Sequence, residues 1–313
     1  MKAHRPLFAF LALAIGVRLS AQPLVVAANP VLADIVRQVA GTTVRVETLL
    51  PPDTLSREFE PTDETAQKLG DAALFVVNGA DYEPWLEQFL KVSRYKGALL
   101  GASEGVALYD QAGTLHQPDA EETGKNLFEV TDFDPFAWHD PRNVVTYAES
   151  IARAIGGLVP TEQQKDIDAN LANFSKSLLE AHKDAHARLA AIPAAKRRLV
   201  TSFDTFRYFA VAYGFQVNPI PGLGSGNPRP AAMERLLALI TQLRAPAVFL
   251  DSAANARSLQ MITTETGAKT CTTLVAEGLG PTGSYLGMFK ANVNAIVEAL
   301  KSVSYTHLRA HET

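Results

Sequence analysis

The sequence predicts two α/β lobes with mostly parallel sheets, (β/α)4-like in pattern and joined by one long rigid linking helix. Three observations carry the prediction. Short apolar runs alternate with amphipathic segments of about ten residues, once before residue 101 and again after residue 197, the rhythm of βαβ units and a parallel sheet. Between the two series, residues 161–191 contain no proline or glycine, so one unbroken helix spans them. The length of 313 residues gives room for about two domains.

In the first series, residues 24–28 (LVVAA) form a strand, and Asn29-Pro30 leads into a helix over 31–40 closed by Gly41. Residues 44–50 are the next strand, ended by Pro51-Pro52-Asp53. A helix over 62–69 opens on Thr62 and Glu64, residue types suited to a first turn. Strand 73–77 runs into Asn78-Gly79, helix 82–92 follows, and residues 98–100 return to strand. Residues 101–135 are polar and break the rhythm, which predicts a long surface loop near a cleft. Helix 144–156 precedes the linking helix.

The linking helix opens on the capping-box pattern of Thr161 and Gln164. It carries Ile167, Leu171, Phe174, Leu178 and Leu179 at helical spacing, and Pro193 stops it. The second series reads as strand 198–202, helices 206–213 and 230–243, strand 247–250, helix 256–264, strand 273–275 and helix 285–301. The implied division is a leader over 1–22, a first lobe over 23–158, the linking helix over 159–192, a second lobe over 193–301 and a tail over 302–313. The tail (SVSYTHLRAHET) leaves the helical period and resembles translated adapter sequence, so no chemistry is placed on His307 or His311.

The first 22 residues read as an export signal. Lys2, His4 and Arg5 precede eleven apolar residues (7–17), and Leu19-Ser20-Ala21 offers a small residue for cleavage. Eleven are too few to span a bilayer. No cysteine follows the run, so the expected product is a periplasmic protein without a lipid anchor. A formal charge of −4 and a pI near 6.0, without basic clusters, argue against nucleic acid as a partner. The single cysteine, Cys271, excludes a disulfide framework and a four-cysteine zinc site.

Enzyme readings find little support, and the chain is read as no enzyme. Gly222–Gly226 lacks the Gly-Lys-Ser/Thr ending of a phosphate loop. Residues 101–105 match Gly-x-Ser-x-Gly after a strand, but the next stretch is too short and glycine-broken for the helix that a nucleophile elbow requires. The acid-rich stretch 119–122 reads as a solvated loop.

A series of motifs in one order is more telling. It begins with strand-Asn29-Pro30-helix, Phe59-Glu60-Pro61-Thr62, and Asn78-Gly79 followed by Glu83-Pro84-Trp85-Leu86. Asp134-Pro135, Trp138-His139-Asp140-Pro141-Arg142-Asn143 and the long helix come next. Asp204, Tyr208-Phe209 and Ala212-Tyr213-Gly214 follow, then Tyr285-Leu286 with Met288 and Asn292. Over residues 24–301 the chain resembles the periplasmic zinc/manganese-binding proteins of ABC transporters, the cluster A-I solute-binding family. The resemblance implies two lobes with the metal between them, capture of zinc or manganese, and delivery to an ABC transporter permease in the inner membrane.

It also implies where the ligands belong. In that family three imidazoles and one carboxylate hold the cation, as borderline-soft metals require. The corresponding positions here are Arg57, Phe136, Phe203 and Glu277. Phenylalanine cannot ligate, and an arginine guanidinium stays protonated and repels a cation. Glu277 alone remains able to coordinate, so the set does not support tight zinc or manganese binding. Three readings follow: metal delivery through a degenerate or altered site near Glu277, capture of a small organic anion or zwitterion between Arg57 and Glu277, or a non-transporting scaffold for protein interaction. Among the other histidines, His139 reads as structural. His116 in the acidic loop, and His182 with His186 one turn apart on the long helix, are possible secondary metal positions.

Overall fold

In the computed structural model the described residues are 22–52, 54–118, 132–202, 204–219, 230–249, 256–272 and 274–301. Residues 1–21 of the leader, the stretch 119–122, Phe203, Gly222–Gly226 and the tail with His307 and His311 lie outside them, so those expectations meet no test here.

The first half is a four-stranded parallel sheet with its helices. Strands β1 (Leu24–Ala27), β2 (Arg45–Thr48), β3 (Leu74–Val77) and β4 (Ala98–Gly101) take the order β2-β1-β3-β4. Central β1 and β3 are buried along their whole length, as strands covered on both faces must be. Helix α1 (Pro30–Ala40) starts where the Asn29 side chain accepts from Leu32 N at 3.0 Å, and ends at Gly41 with φ +58°, a left-handed close that glycine reaches without strain. Helix α2 (Asp63–Gly70) has a reciprocal cap between Thr62 and Thr65.

Helix α3 (Leu86–Ser93) begins four residues later than its periodicity suggests. Residues 78–85 instead form a turn with Ala80 and Asp81 at positive φ. The expected loop after β4 is in part a hairpin: β5 (Leu108–Tyr109) pairs antiparallel with β6 (Leu115–His116). Ser103 lies in the turn leaving β4, where its hydroxyl donates to Asn78 O at 2.7 Å, and no helix follows. Helix α4 (Pro141–Gly156) opens three residues earlier than expected, because Asp140 caps it and Pro141 sits at its first position.

The linking helix α5 spans Thr161–Ala190. Thr161 is already helical and makes no cap bond; Gln164 reaches back to Gly156 O at 3.1 Å instead. The buried face is Ile167, Phe174, Leu178, Ala181, Ala185 and Leu189, whereas Leu179 is exposed. The alanines let the neighbouring helices approach closely, and that choice turns Leu179 outward.

The second sheet runs β10-β9-β7-β8, again parallel. Its members are β7 (Arg198–Thr201), β8 (Gln216–Pro219), β9 (Ala247–Phe249) and β10 (Lys269–Cys271), with helices α6 (Arg207–Tyr213), α7 (Pro230–Leu243), α8 (Ala256–Thr266) and α9 (Tyr285–Lys301). Sequence periodicity gives no strand at β8, a polar edge strand held by pairing with β7, and places β10 four residues too late. No helix among the described residues is long and apolar enough to cross a membrane.

Residues before and after α5 meet along a polar seam. Tyr285 N donates to Asp34 Oδ2 at 2.8 Å and Tyr285 Oη donates to Trp138 O at 2.8 Å. Tyr208 Oη accepts from Tyr109 N at 3.0 Å and donates to Asp134 O at 3.0 Å. Arg207 pairs with Asp134 at 3.3 Å.

Candidate functional site

The seam also brings together three of the four positions singled out in the sequence. Glu277 lies in the segment after β10. That segment is held by Asn292 of α9, whose amide accepts from Val275 N and donates to Val275 O, both at 2.9 Å. The Glu277 side chain is only 6% exposed. Its Oε2 accepts from Tyr82 Oη at 2.9 Å and from Ser56 N at 3.4 Å. Its Oε1 lies 3.6 Å from Arg57 Nη1, on a side chain 55% exposed. Burial raises the Glu277 carboxyl above its ordinary range, against the opposing pull of these donors. Burial, followed by the adjacent carboxylate, also raises Tyr82.

Phe136 walls the same place. Its ring stands edge-on to Tyr82 and Trp138, with centroids 5.9 and 5.3 Å away. Asp134 Oδ1 accepts from Phe136 N at 3.0 Å and fixes the turn; burial lifts the Asp134 carboxyl to about 6, against that bond and Arg207. Next along the chain, His139 is buried against Phe206, with Nε2 3.0 Å from Ala276 O. A carbonyl can only accept, so Nε2 carries the proton. Burial lowers the imidazole to about 4, and His139 is a neutral tie across the seam.

The donor set defines what this site can hold. Among the described residues, the groups bonded or paired to the Glu277 carboxylate are a hydroxyl, a backbone N–H and a guanidinium. Phe203 lies outside the described residues, so its place relative to this cluster is not assigned. His116 is elsewhere, on the β5–β6 hairpin with Nε2 2.9 Å from Asp110 Oδ2. On α5, His182 Nδ1 is 2.9 Å from Tyr213 Oη and 3.8 Å from Asp140 Oδ1, while His186 faces solvent. Among the described residues no three His, Cys, Asp or Glu side chains are grouped to hold a metal ion.

Sequence reasoning missed Ser56 and Tyr82 as partners of Glu277. Ser56 contributes a backbone N–H, which no residue type announces. Tyr82 had a signal in its neighbours, Asn78-Gly79 and Glu83-Pro84. Glu83 is buried, and its two oxygens accept from Asn78 N at 2.8 Å and Gly79 N at 3.0 Å. These bonds hold the turn in which Ala80 and Asp81 are left-handed, and so set where Tyr82 stands.

Burial lifts the Glu83 carboxyl to about 7, against the two N–H groups it accepts from. A raised carboxyl favours the folded state while protonated, so this contribution is full below about pH 4.5 and is lost as the pH rises through about 7. Between pH 5 and 8 the wild type is expected to lose about 2–3 kcal/mol more stability than Glu83→Gln, measured by urea unfolding. Equal slopes in the two proteins would contradict the assignment.

Comparison with known proteins adds the context. The family model described as zinc-uptake complex component A, periplasmic, matches residues 25–299. The metal ABC transporter substrate-binding lipoprotein SloC of Streptococcus mutans is 28% identical over 285 residues, covering 88% of this chain and 89% of SloC. The manganese-binding lipoprotein MntA of Halalkalibacterium halodurans is 27% identical over 88% of each chain. Among solved structures, the periplasmic zinc-binding protein TroA of Treponema pallidum superposes with a TM-score of 0.74 at 23% identity, over 90% of this chain and 99% of TroA.

Proposed function

The chain belongs to the family of periplasmic zinc-uptake components, and from that premise we propose that it is the solute-binding component of a zinc/manganese-type ABC transporter whose metal position has been altered. Its partners are then the transporter's permease and ATPase. Relatives with the same span are named as a metal ABC transporter substrate-binding lipoprotein and a manganese-binding lipoprotein. As in the rest of the family, the role is binding and delivery, not catalysis.

The observation that carries the altered site is the surroundings of Glu277: a tyrosine hydroxyl, a backbone N–H and a guanidinium on the carboxylate, with Phe136 beside them. Zinc and manganese need lone pairs from several ligands at once. A single carboxylate, already engaged by donors, competes poorly with water. The alternative of an organic anion bridging Arg57 and Glu277 is weaker for the same reason, since the two groups already face each other at 3.6 Å. Placement outside the cytoplasm follows from the family.

Titration calorimetry of the purified chain with zinc and with manganese, paired with elemental analysis, tests the altered site. Affinity weaker than about millimolar is expected for both ions. One equivalent bound at micromolar affinity or better would overturn it.

A further inference from the structure

We propose that the Arg57–Glu277 pair, with Tyr82 and Ser56, is a built-in latch that holds the cleft closed without any bound solute. The inference rests on the altered-site reading and extends it from what the cleft does not hold to what the chain does instead.

Among the described residues, every group found on the Glu277 carboxylate comes from before the linking helix: Ser56 N, Arg57 Nη1 and Tyr82 Oη. Glu277 itself comes from after it. The neighbouring residue repeats the pattern, with Ala276 O receiving the His139 ring N–H at 3.0 Å. Parting the two halves would break all of these contacts at once. Ser56, Tyr82 and the segment that carries Glu277 are also fixed from their own sides. Trp85 Nε1 donates to Ser56 O at 3.1 Å, Glu83 sets the turn that carries Tyr82, and Asn292 clamps Val275 on both its N–H and its carbonyl.

Positioning therefore costs little entropy at closure. Arg57 supplies the positive charge that a buried carboxylate between two halves requires, so no ion has to arrive first. With its side chain 55% exposed, Arg57 reaches the carboxylate from the solvent edge, where a guanidinium keeps much of its hydration. The transporter is then offered a closed binding protein whether or not metal is present.

The test uses the full chain with two readouts, tryptophan emission and amide exchange at residues 55–58 and 275–279. Both tryptophans of the sequence report on the latch. Trp85 bonds to Ser56, and the Trp138 ring lies 5.0 Å from that of Tyr82. In the wild type, emission and exchange are expected to be the same in chelator and in millimolar zinc or manganese. Arg57→Ala should speed exchange at both segments roughly threefold to fivefold, with Arg57→Lys in between. The double variant Arg57→Ala/Glu277→Gln should exchange no faster than Glu277→Gln alone, since the two residues act as one contact.

Metal-dependent exchange in the wild type, no change in Arg57→Ala, or additive effects in the double variant would each overturn the latch. Tight zinc uptake by calorimetry with the coupling intact would overturn the altered-site reading and not the latch. Lost coupling without zinc uptake would do the reverse.

Discussion

Restoring imidazoles at three positions, Arg57→His, Phe136→His and Phe203→His together, is expected to raise zinc affinity at least about a thousandfold, from weaker than millimolar to micromolar or tighter. Three neutral imidazoles and the Glu277 carboxylate are the nitrogen-rich set that zinc takes in four-coordinate sites. The change also removes the guanidinium, which both repels a cation and occupies the carboxylate. Single reversions should do little, since one imidazole and one carboxylate form no cage. Calorimetry at neutral pH on the triple variant checks the result. An affinity unchanged from wild type would mean that the four positions do not converge on one ion.

Trp138→Ala is expected to cost about 3–5 kcal/mol in folding stability, the range for emptying a fully buried aromatic site. Trp138 has no exposed surface, and the rings of Tyr82 and Phe136 stand edge-on to it at 5.0 and 5.3 Å. The loss is one of packing. The indole N–H has no partner among the described residues, and the bond from Tyr285 goes to the backbone carbonyl of Trp138, which the substitution keeps. Trp138→Phe leaves a ring against Tyr82 and removes the unpaired N–H, so it should cost about 1–2 kcal/mol. Urea unfolding of both variants separates the cases. A loss below about 1 kcal/mol for the alanine variant would show that the aromatic cluster is not a structural centre.

Much of the architecture was legible from residue order. The bounds of α9 (Tyr285–Lys301) and the core of α5 follow from apolar spacing, because a helix that packs on one face must repeat near 3.6 residues. The errors lie where local pattern and tertiary pairing part company. Gln216-Val217-Asn218-Pro219 has no apolar run, and is a strand only because β7 offers a free edge. Residues 82–85 have helical spacing, but the Glu83 carboxylate bonds to the backbone at Asn78 and Gly79 and turns the chain first. Thr161 and Gln164 match a cap pattern, yet the helix starts at Thr161 itself and Gln164 serves Gly156.

By itself, the sequence determined the chemistry available at the site. Residue identity decides that Phe136 has no lone pair and that Arg57 stays charged, and no fold alters either. The family resemblance implied that Arg57, Phe136, Phe203 and Glu277 share one site. Only the tertiary structure decided what those residues do together. Glu277 finds Tyr82 and Ser56 across 195 and 221 residues of chain, and Tyr285 finds Asp34 across 251. Contacts over such separations leave no local period to read. They exist because two sheets, each folded by its own alternation, are packed together so that a buried carboxylate from one half meets donors from the other.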